Sequence, residues 1–226
     1  MKALIFGASG SIGNYIFENF KNDGIYVLGC TSNKENNNSD FIYVENNYLE
    51  NLKNIENIDI IVWAHGFNYN DNINNFDYNN FTKMIEINVS YILNSLNYLL
   101  KENKINNNAK IVIISSIWEE MTRANKLSYS ITKAALSGLV KNISYDLSEK
   151  NILVNNVLPG VIDNIMTKKT LNENQLDYIK NYLKFGRLVN LDDVYKTVKF
   201  LVKENSGISG QSIKVDLGFS NLRKYE

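Results

Sequence analysis

The sequence is poor in the residues that build disulfide frameworks and metal sites. Its 226 residues include one Cys, one Pro and one His. A single cysteine excludes an internal disulfide framework, and one Cys with one His gives no basis for zinc, so no metal is expected. Charge of either sign is also not in surplus: 24 Lys+Arg stand against 24 Asp+Glu. Without a basic excess to neutralise phosphates, nucleic acid is not an expected partner. No apolar run reaches roughly 18 residues, so no membrane span is expected. The opening stretch MKALIFGASGS turns polar too early for a signal peptide. These absences together predict a soluble, cytoplasmic protein.

What is present is ordinary globular composition, 44% hydrophobic and 21% charged. The length suits one α/β domain over residues 1–226, with no linker or repeat to divide it. Asparagine is abundant, about one residue in six. It clusters at Asn36-Asn37-Asn38, between Asn68 and Asn80, and at Asn106-Asn107-Asn108. The clusters are short and lie between apolar segments, which favours polar filler in loops and on exposed helix faces over a prion-like tract.

Short β-branched runs alternate with longer periodic ones. Strands are predicted at Ala3–Phe6, Ile25–Cys30, Phe41–Val44, Ile58–Trp63, Lys110–Ser115, Ile152–Val157 and Ser212–Asp216. Runs such as Ile60-Ile61-Val62 and Ile111-Val112-Ile113-Ile114 suit strands buried on both faces of a parallel sheet. Helical periodicity covers Ser11–Asn22, Asp77–Asn103, Leu127–Lys150, Asn172–Lys184 and Leu191–Lys203. This alternation predicts a Rossmann-like, doubly wound parallel sheet with helices on both faces. Ligands are then expected at the carboxyl ends of the strands.

The stretch Gly7-Ala8-Ser9-Gly10-Ser11-Ile12-Gly13 follows the first strand and opens the first helix. In that context Gly7 allows a tight turn, Gly10 removes a Cβ where pyrophosphate approaches, and Gly13 allows close helix–strand packing. The N–H groups of Ser9, Ser11 and Ile12 would face the anion. A glycine-rich turn without a ligand is the plainer reading; the strand–turn–helix setting favours a dinucleotide. No Lys-Ser/Thr pair follows, so nucleoside triphosphate hydrolysis is not indicated. The second strand ends in Thr31-Ser32-Asn33-Lys34 with no acid before Glu35. Hydroxyls at Thr31 and Ser32, with Lys34 nearby, tilt the choice from NAD toward NADP.

Tyr129 and Lys133 lie four apart on one predicted helix face. A phenol of pKa ~10 is a poor acid–base group at neutral pH, and a neighbouring ammonium lowers that value. Alone, such a pair is usually helix surface. Ser116, however, stands thirteen residues before Tyr129, just past the strand Lys110–Ser115, at the edge where ligands bind. Asn88 lies within the earlier helical segment and would mean little by itself in a chain so rich in Asn.

Taken in order, these pieces resemble the short-chain dehydrogenase/reductase family over essentially the full length. The matching set is the Gly7–Gly13 turn, Ala64–Gly66 after the fourth strand, Asn88, Ser116, Tyr129-x-x-x-Lys133, NNVLPG at Asn155–Gly160, and ISGQSIKVDLG at Ile208–Gly218. The resemblance implies an NAD(P)(H)-dependent oxidoreductase acting on a secondary alcohol or ketone. It implies that Tyr129 exchanges a proton with the substrate oxygen and that Ser116 bonds the same oxygen. Lys133 would bond the nicotinamide ribose and hold the Tyr129 pKa low, and Asn88 would hold a relay water. Ala64, Gly66, Pro159, Gly160 and Ile162 would line the cofactor, and residues Val161–Phe185 would form the substrate lid. Three departures from the family pattern stand out: Phe6 where Thr is usual, Trp63-Ala64-His65-Gly66 where Asn-Asn-Ala-Gly is usual, and Asn164 (or Thr167) in place of the usual Thr after Pro-Gly.

Other residues read more plainly. His65 is expected to be a loop histidine held by backbone hydrogen bonds rather than a catalyst, and Cys30 a buried small hydrophobe. Trp118, followed by Glu119, Glu120 and Met121, either stacks on a substrate ring or packs under the lid. Lys168-Lys169 is read as solvated surface, and Gly186-Arg187 as structural. A 3-oxoacyl compound and a sugar or polysaccharide precursor are the two substrate readings. The resemblance further implies a homodimer or homotetramer formed through the helices at Asp77–Asn103 and Leu127–Lys150. A non-catalytic dinucleotide-binding sensor or scaffold is the alternative from a different class.

Overall fold

The computed structural model describes residues 1–33, 40–44, 48–163, 167, 173–183 and 185–221. Lys34, the Asn36–Asn38 cluster, Asn164 and Lys168-Lys169 lie outside the described residues, as do parts of the expected lid.

Seven strands form one sheet: β1 (Lys2–Phe6), β2 (Tyr26–Thr31), β3 (Phe41–Tyr43), β4 (Ile58–Trp63), β5 (Ile105–Ile114), β6 (Leu153–Pro159) and β7 (Ser212–Val215). Their order is β3-β2-β1-β4-β5-β6-β7, and every pair is parallel. The helices are α1 (Ser11–Asn22), α2 (Tyr48–Asn51), α3 (Tyr78–Ile85), α4 (Tyr91–Lys101), α5 (Leu127–Asp146), α6 (Glu173–Tyr182) and α7 (Leu191–Lys203). The chain reverses its winding between β1 and β4, which opens a crevice at their carboxyl ends. The expected single α/β domain with a doubly wound sheet is the one observed.

Alternate residues of each strand feed opposite cores. Leu4, Phe6, Ile61, Trp63, Ile111 and Ile113 pack against Ile92, Leu96 and Leu99 of α4 and Leu136, Val140 and Ile143 of α5. Ala3, Ile5, Ile60, Val62, Val112 and Ile114 pack against Ile16, Phe17 and Phe20 of α1 and Val194, Val198 and Leu201 of α7. Burying both faces explains why these strands carry unbroken apolar runs instead of an alternating pattern.

Two elements differ from the sequence reading. The helix expected over Asp77–Asn103 is interrupted by a wide, π-helical turn at Glu86–Ser90, and the buried Asn88 sits inside it. Such turns mark functional positions more often than chance, because one inserted residue re-aims the side chains. The Asn106–Asn108 cluster belongs to β5, not to a loop, and pairing with β4 slips between Ile58 and Ile60 beside it. Asparagine also has a backbone role. Asn57, Asn103, Asn108, Asn125 and Asn151 all adopt left-handed φ, and Leu217 is the sixth such non-glycine residue among those described. Asn tolerates that region because its short side chain bonds locally, so it stands in for glycine at these turns. None of the helices among the described residues is long and apolar enough to cross a membrane.

Candidate active site

The glycine turn is held by backbone contacts. Gly7 and Ala8 donate to the Cys30 carbonyl at 3.0 and 3.1 Å, and Gly10 donates to the Gly7 carbonyl at 3.0 Å. Gly7 has φ +77, and a Cβ there would meet the His65 backbone at 2.6 to 2.8 Å. A Cβ at Gly13 would collide with the Gly7 carbonyl. These glycines therefore let three segments, the β1 turn, the start of α1 and the loop after β4, approach one another.

Helix α1 begins at Gly10 with no side-chain cap and no acid in its first turn. Its leading N–H groups, at Ser11, Ile12 and Gly13, are left for an anion by a residue that has no side chain to cap them. This is the observation that fits a dinucleotide phosphate. Thr31 is buried, donating from its hydroxyl to Ser9 Oγ at 2.8 Å and accepting from the Asn33 N–H at 3.0 Å. That ties the turn to the end of β2, with Ser9 and Ser32 both exposed there. Gly66 is exposed, and a Cβ on it would lie 3.5 Å from Asn88 Oδ1 and 3.9 Å from Lys133 Nζ, so its bareness keeps the approach to Lys133 open. Pro159 ends β6, Gly160 donates to the Val215 carbonyl at 2.9 Å, and Ile162 buries its side chain in the α1/α7 core while bridging to Val189.

The expected catalytic residues converge. Ser116 follows β5, where its Oγ accepts weakly from the Trp118 N–H at 3.4 Å and acts directly on the Tyr129 phenol. Lys133 is 3% exposed, donates to the Ile114 carbonyl at 3.2 Å and stands 5.7 Å from the centroid of the Tyr129 ring. Asn88 clamps the backbone of Phe67, accepting from its N–H at 2.8 Å and donating to its carbonyl at 2.9 Å. It also donates to Thr132 Oγ1 at 3.0 Å, and Thr132 in turn donates to the Tyr129 carbonyl. The π-helical turn thus fixes both the loop after β4 and the first turns of α5.

Electrostatics correct one expectation. Lys133 was expected to hold the Tyr129 pKa low, yet burial pushes the phenol up to about 12, with only the Ser116 hydroxyl acting the other way. Burial brings the Lys133 ammonium down to about 8, opposed by the Glu119 carboxylate. Desolvation outweighs the pair interaction here because each charged form loses water. Both shifts favour the neutral form of each group.

Glu119 is a residue whose place the sequence did not reveal. Its carboxyl is buried, accepts from Asn156 Nδ2 at 3.1 Å and from the Ser212 hydroxyl, and has its pKa raised by burial. Asp71, Lys126, Asn68 and Asn70 form a second polar cluster beside Tyr129 that the sequence reading passed over. The available signal was Lys126 itself, a cation three residues before Tyr129, at a helix start where Ser, Thr, Asp or Asn is usual.

His65 is tied to the backbone, as expected of a loop histidine. Its Nε2 bonds the Ile87 carbonyl at 2.9 Å, Nδ1 is buried without a partner, and burial brings its pKa down to about 4. The departures at Phe6 and Trp63 are one packed unit. Those residues are register partners on β1 and β4, and their rings stack at 5.4 Å. Trp63 Nε1 donates to Ser95 Oγ, and Tyr91 closes the cluster edge-on against Phe6 and His65. Cys30 is fully buried, with its thiol pKa raised by desolvation, as a small hydrophobe should be. Arg187 pairs with Asp193 at 2.6 Å at the start of α7, so Gly186-Arg187 is structural.

A family profile described as enoyl-(acyl carrier protein) reductase matches residues 43–220. The chain is 32% identical over 232 residues to a 3-oxoacyl-(acyl-carrier-protein) reductase of Rickettsia felis, covering 96% of this chain and 95% of that protein. The chain belongs to the short-chain dehydrogenase/reductase family. The corresponding reductase of Salmonella typhimurium is 27% identical, with 96% of each chain covered. Among solved structures, a short chain dehydrogenase family protein from Francisella tularensis superposes with a TM-score of 0.88 at 21% identity, covering 98% of this chain and 99% of that one. A gluconate 5-dehydrogenase from Burkholderia cenocepacia, in complex with NADP and tartrate, gives a TM-score of 0.88 at 19% identity, covering 98% and 96%. As a member of this family, the chain is an NAD(P)-dependent oxidoreductase.

Proposed function

We propose that the chain reduces the ketone of a small-molecule substrate, or oxidises the matching secondary alcohol, with NADP(H) as the favoured cofactor. The observation that carries this reading is the convergence of Tyr129 and Ser116 with the buried Lys133, whose Nζ lies 5.7 Å from the Tyr129 ring centroid. A nicotinamide cofactor held in this crevice would supply the hydride that the carbonyl carbon receives. Tyr129 donates its proton to the carbonyl oxygen, and Ser116 stabilises the charge that develops there. Lys133 would hold the cofactor's ribose hydroxyls and would stabilise the phenolate that Tyr129 becomes. Asn88 positions Phe67 and Thr132, and the gap at Gly66 between its amide and Lys133 suits a water that returns the proton. Gly7, Ser9, Gly10, Ser11, Ile12 and Gly13 would hold the pyrophosphate, and Ala64, Gly66, Pro159, Gly160 and Ile162 the nicotinamide half.

The preference for NADP rests on the exposed hydroxyls of Ser32, at the end of β2, and of Ser9, which Thr31 ties to it, and on a sequence with no acid between Thr31 and Glu35. The relatives named 3-oxoacyl-(acyl-carrier-protein) reductases support a 3-oxoacyl compound as the first substrate reading. A sugar precursor comes second. Self-association through α3–α5 has support in Leu93, Ile131 and Tyr145, which expose 46%, 44% and 81% of their surface; light scattering should give a dimer or tetramer. The reading is tested by following NADPH and NADH oxidation against a panel of ketones. Turnover with NADPH supports it, whereas tight cofactor binding without turnover on any ketone favours a sensor.

A further inference from the structure

The only histidine sits where two segments grip each other reciprocally, each giving a side chain to the other's backbone. His65, in the loop after β4, reaches the Ile87 carbonyl with Nε2 at 2.9 Å, and Ile87 belongs to the π-helical turn. In return Asn88 of that turn accepts from the Phe67 N–H at 2.8 Å and donates to the Phe67 carbonyl at 2.9 Å. The Tyr91 N–H bonds the Glu86 carbonyl, five residues back. A regular α-helix would pair it with the Ile87 carbonyl, which here accepts from His65.

A carbonyl only accepts, so Nε2 carries the ring proton and Nδ1 is a bare lone pair. That Nδ1 is buried and has no partner among the described residues. The ring meets Tyr91 edge-on at 4.8 Å, and Tyr91 meets Phe6, which stacks on Trp63. In such an aromatic wall a residue kept for packing alone would serve better as Phe, because burying an unbonded nitrogen destabilises the fold. What His65 adds over Phe is one donor aimed at one carbonyl. The ring also stays uncharged. Burial brings its pKa down to about 4, the bond to Ile87 opposes that shift, and the Lys133 ammonium adds to it.

Between the two halves of this clasp lies Gly66, where a Cβ would stand 3.5 Å from Asn88 Oδ1 and 3.9 Å from Lys133 Nζ. We infer that His65 is a positioning residue: its Nε2–H locks the π-helical turn to the loop after β4 and so fixes the gap at Gly66 through which Lys133 exchanges its proton. This inference rests on the reading of Lys133 and Asn88 as the route by which Tyr129 regains the proton it gives to the substrate oxygen. Without the lock, the Ile87 carbonyl is open to the Tyr91 N–H, and the turn relaxes toward a regular helix that re-aims Asn88. His65 touches neither the substrate oxygen nor the Tyr129 hydroxyl, so the first proton transfer is spared and the return of the proton is slowed.

The test uses the full chain with NADPH and a ketone it reduces. His65→Phe keeps a ring and removes the donor, whereas His65→Gln carries an N–H the same number of bonds from its Cα. His65→Phe should lower steady-state kcat by about 10–100-fold, the upper end being the cost of a misplacement of about 1 Å. KM and the NADPH titration should stay nearly unchanged. The first turnover should fall less, which shows as a burst of NADPH oxidation, and His65→Gln should restore most of kcat. His65→Ala gives the same reading should the Phe variant not fold. Because the chain has one histidine, nitrogen NMR of its ring reads the lock with no substrate present. The expected signal is the neutral Nε2–H form, unchanged across the ~6.5 of an unperturbed histidine. That signal, with faster amide exchange across Glu86–Tyr91 in His65→Ala, upholds the lock even if no ketone is reduced, which would count against the reaction alone. An Nδ1–H ring, a titration near ~6.5, kcat unchanged in the Phe and Ala variants, or equal loss in the Gln and Phe variants would overturn the proposal.

Discussion

The Gly7–Gly13 turn contains no ionisable side chain, whereas the stretch from Ser116 to Lys133 carries Glu119, Lys126, Tyr129 and Lys133. The first region meets its ligand's charge with backbone N–H groups that do not titrate. The second buries groups whose pKa values move toward or away from neutrality as they lose water. The contrast teaches a division of labour. Cofactor affinity should vary less with pH than turnover, which should follow the protonation of the α5 wall.

That comparison breaks most sharply at Gly13. Gly13→Val drives a side chain into the Gly7 carbonyl, and overpacking at backbone costs about 1–3 kcal/mol or more; NADPH fluorescence titration should show no binding. On the other wall, Ser116→Ala should lower kcat by about 10²–10³-fold, as the loss of an oxyanion donor does, with cofactor affinity unchanged in the same titration. The pH profile should sharpen the contrast further. The Lys133 pKa is about 8 in the folded chain and ~10.4 when unfolded, so its charge, and with it kcat, should fall as pH rises through about 8. Its folded pKa is depressed, so the unfolded state binds more protons above that point. Stability should therefore rise from about pH 8 toward 10, visible as a higher urea midpoint. The smallest effect belongs to Glu119→Gln, which removes the carboxylate that supports the Lys133 charge. It should move the falling limb to lower pH by about one unit or less.

The fold was legible because unbroken apolar strands and periodic helices report burial on two faces, a property each local segment carries by itself. The glycine turn was legible for a similar reason: three backbone approaches demand residues without Cβ at fixed spacing. Tyr129 and Lys133 could be paired because a helix fixes which residues share a face. What stayed hidden depended on tertiary burial. The reversal of the Tyr129 shift, the carboxyl of Glu119 between Asn156 and Ser212, and the Lys126 cluster all arise from segments distant in sequence. Phe6 and Trp63 looked like two separate departures from the family pattern until the β1–β4 register placed their rings in one stack. Asparagine, read as filler, supplies five left-handed turns because no linear pattern announces φ.

The central claim is that Tyr129 delivers the proton to the substrate oxygen and takes little part in securing the cofactor, which the glycine turn and its neighbours hold. It is tested most directly by comparing wild-type protein with Tyr129→Phe in single-turnover NADPH oxidation and in NADPH titration on the same samples. The account predicts a loss of about 10²–10⁴-fold in the oxidation rate, the usual weight of a general acid, at nearly unchanged cofactor affinity. Undiminished oxidation in Tyr129→Phe would contradict it.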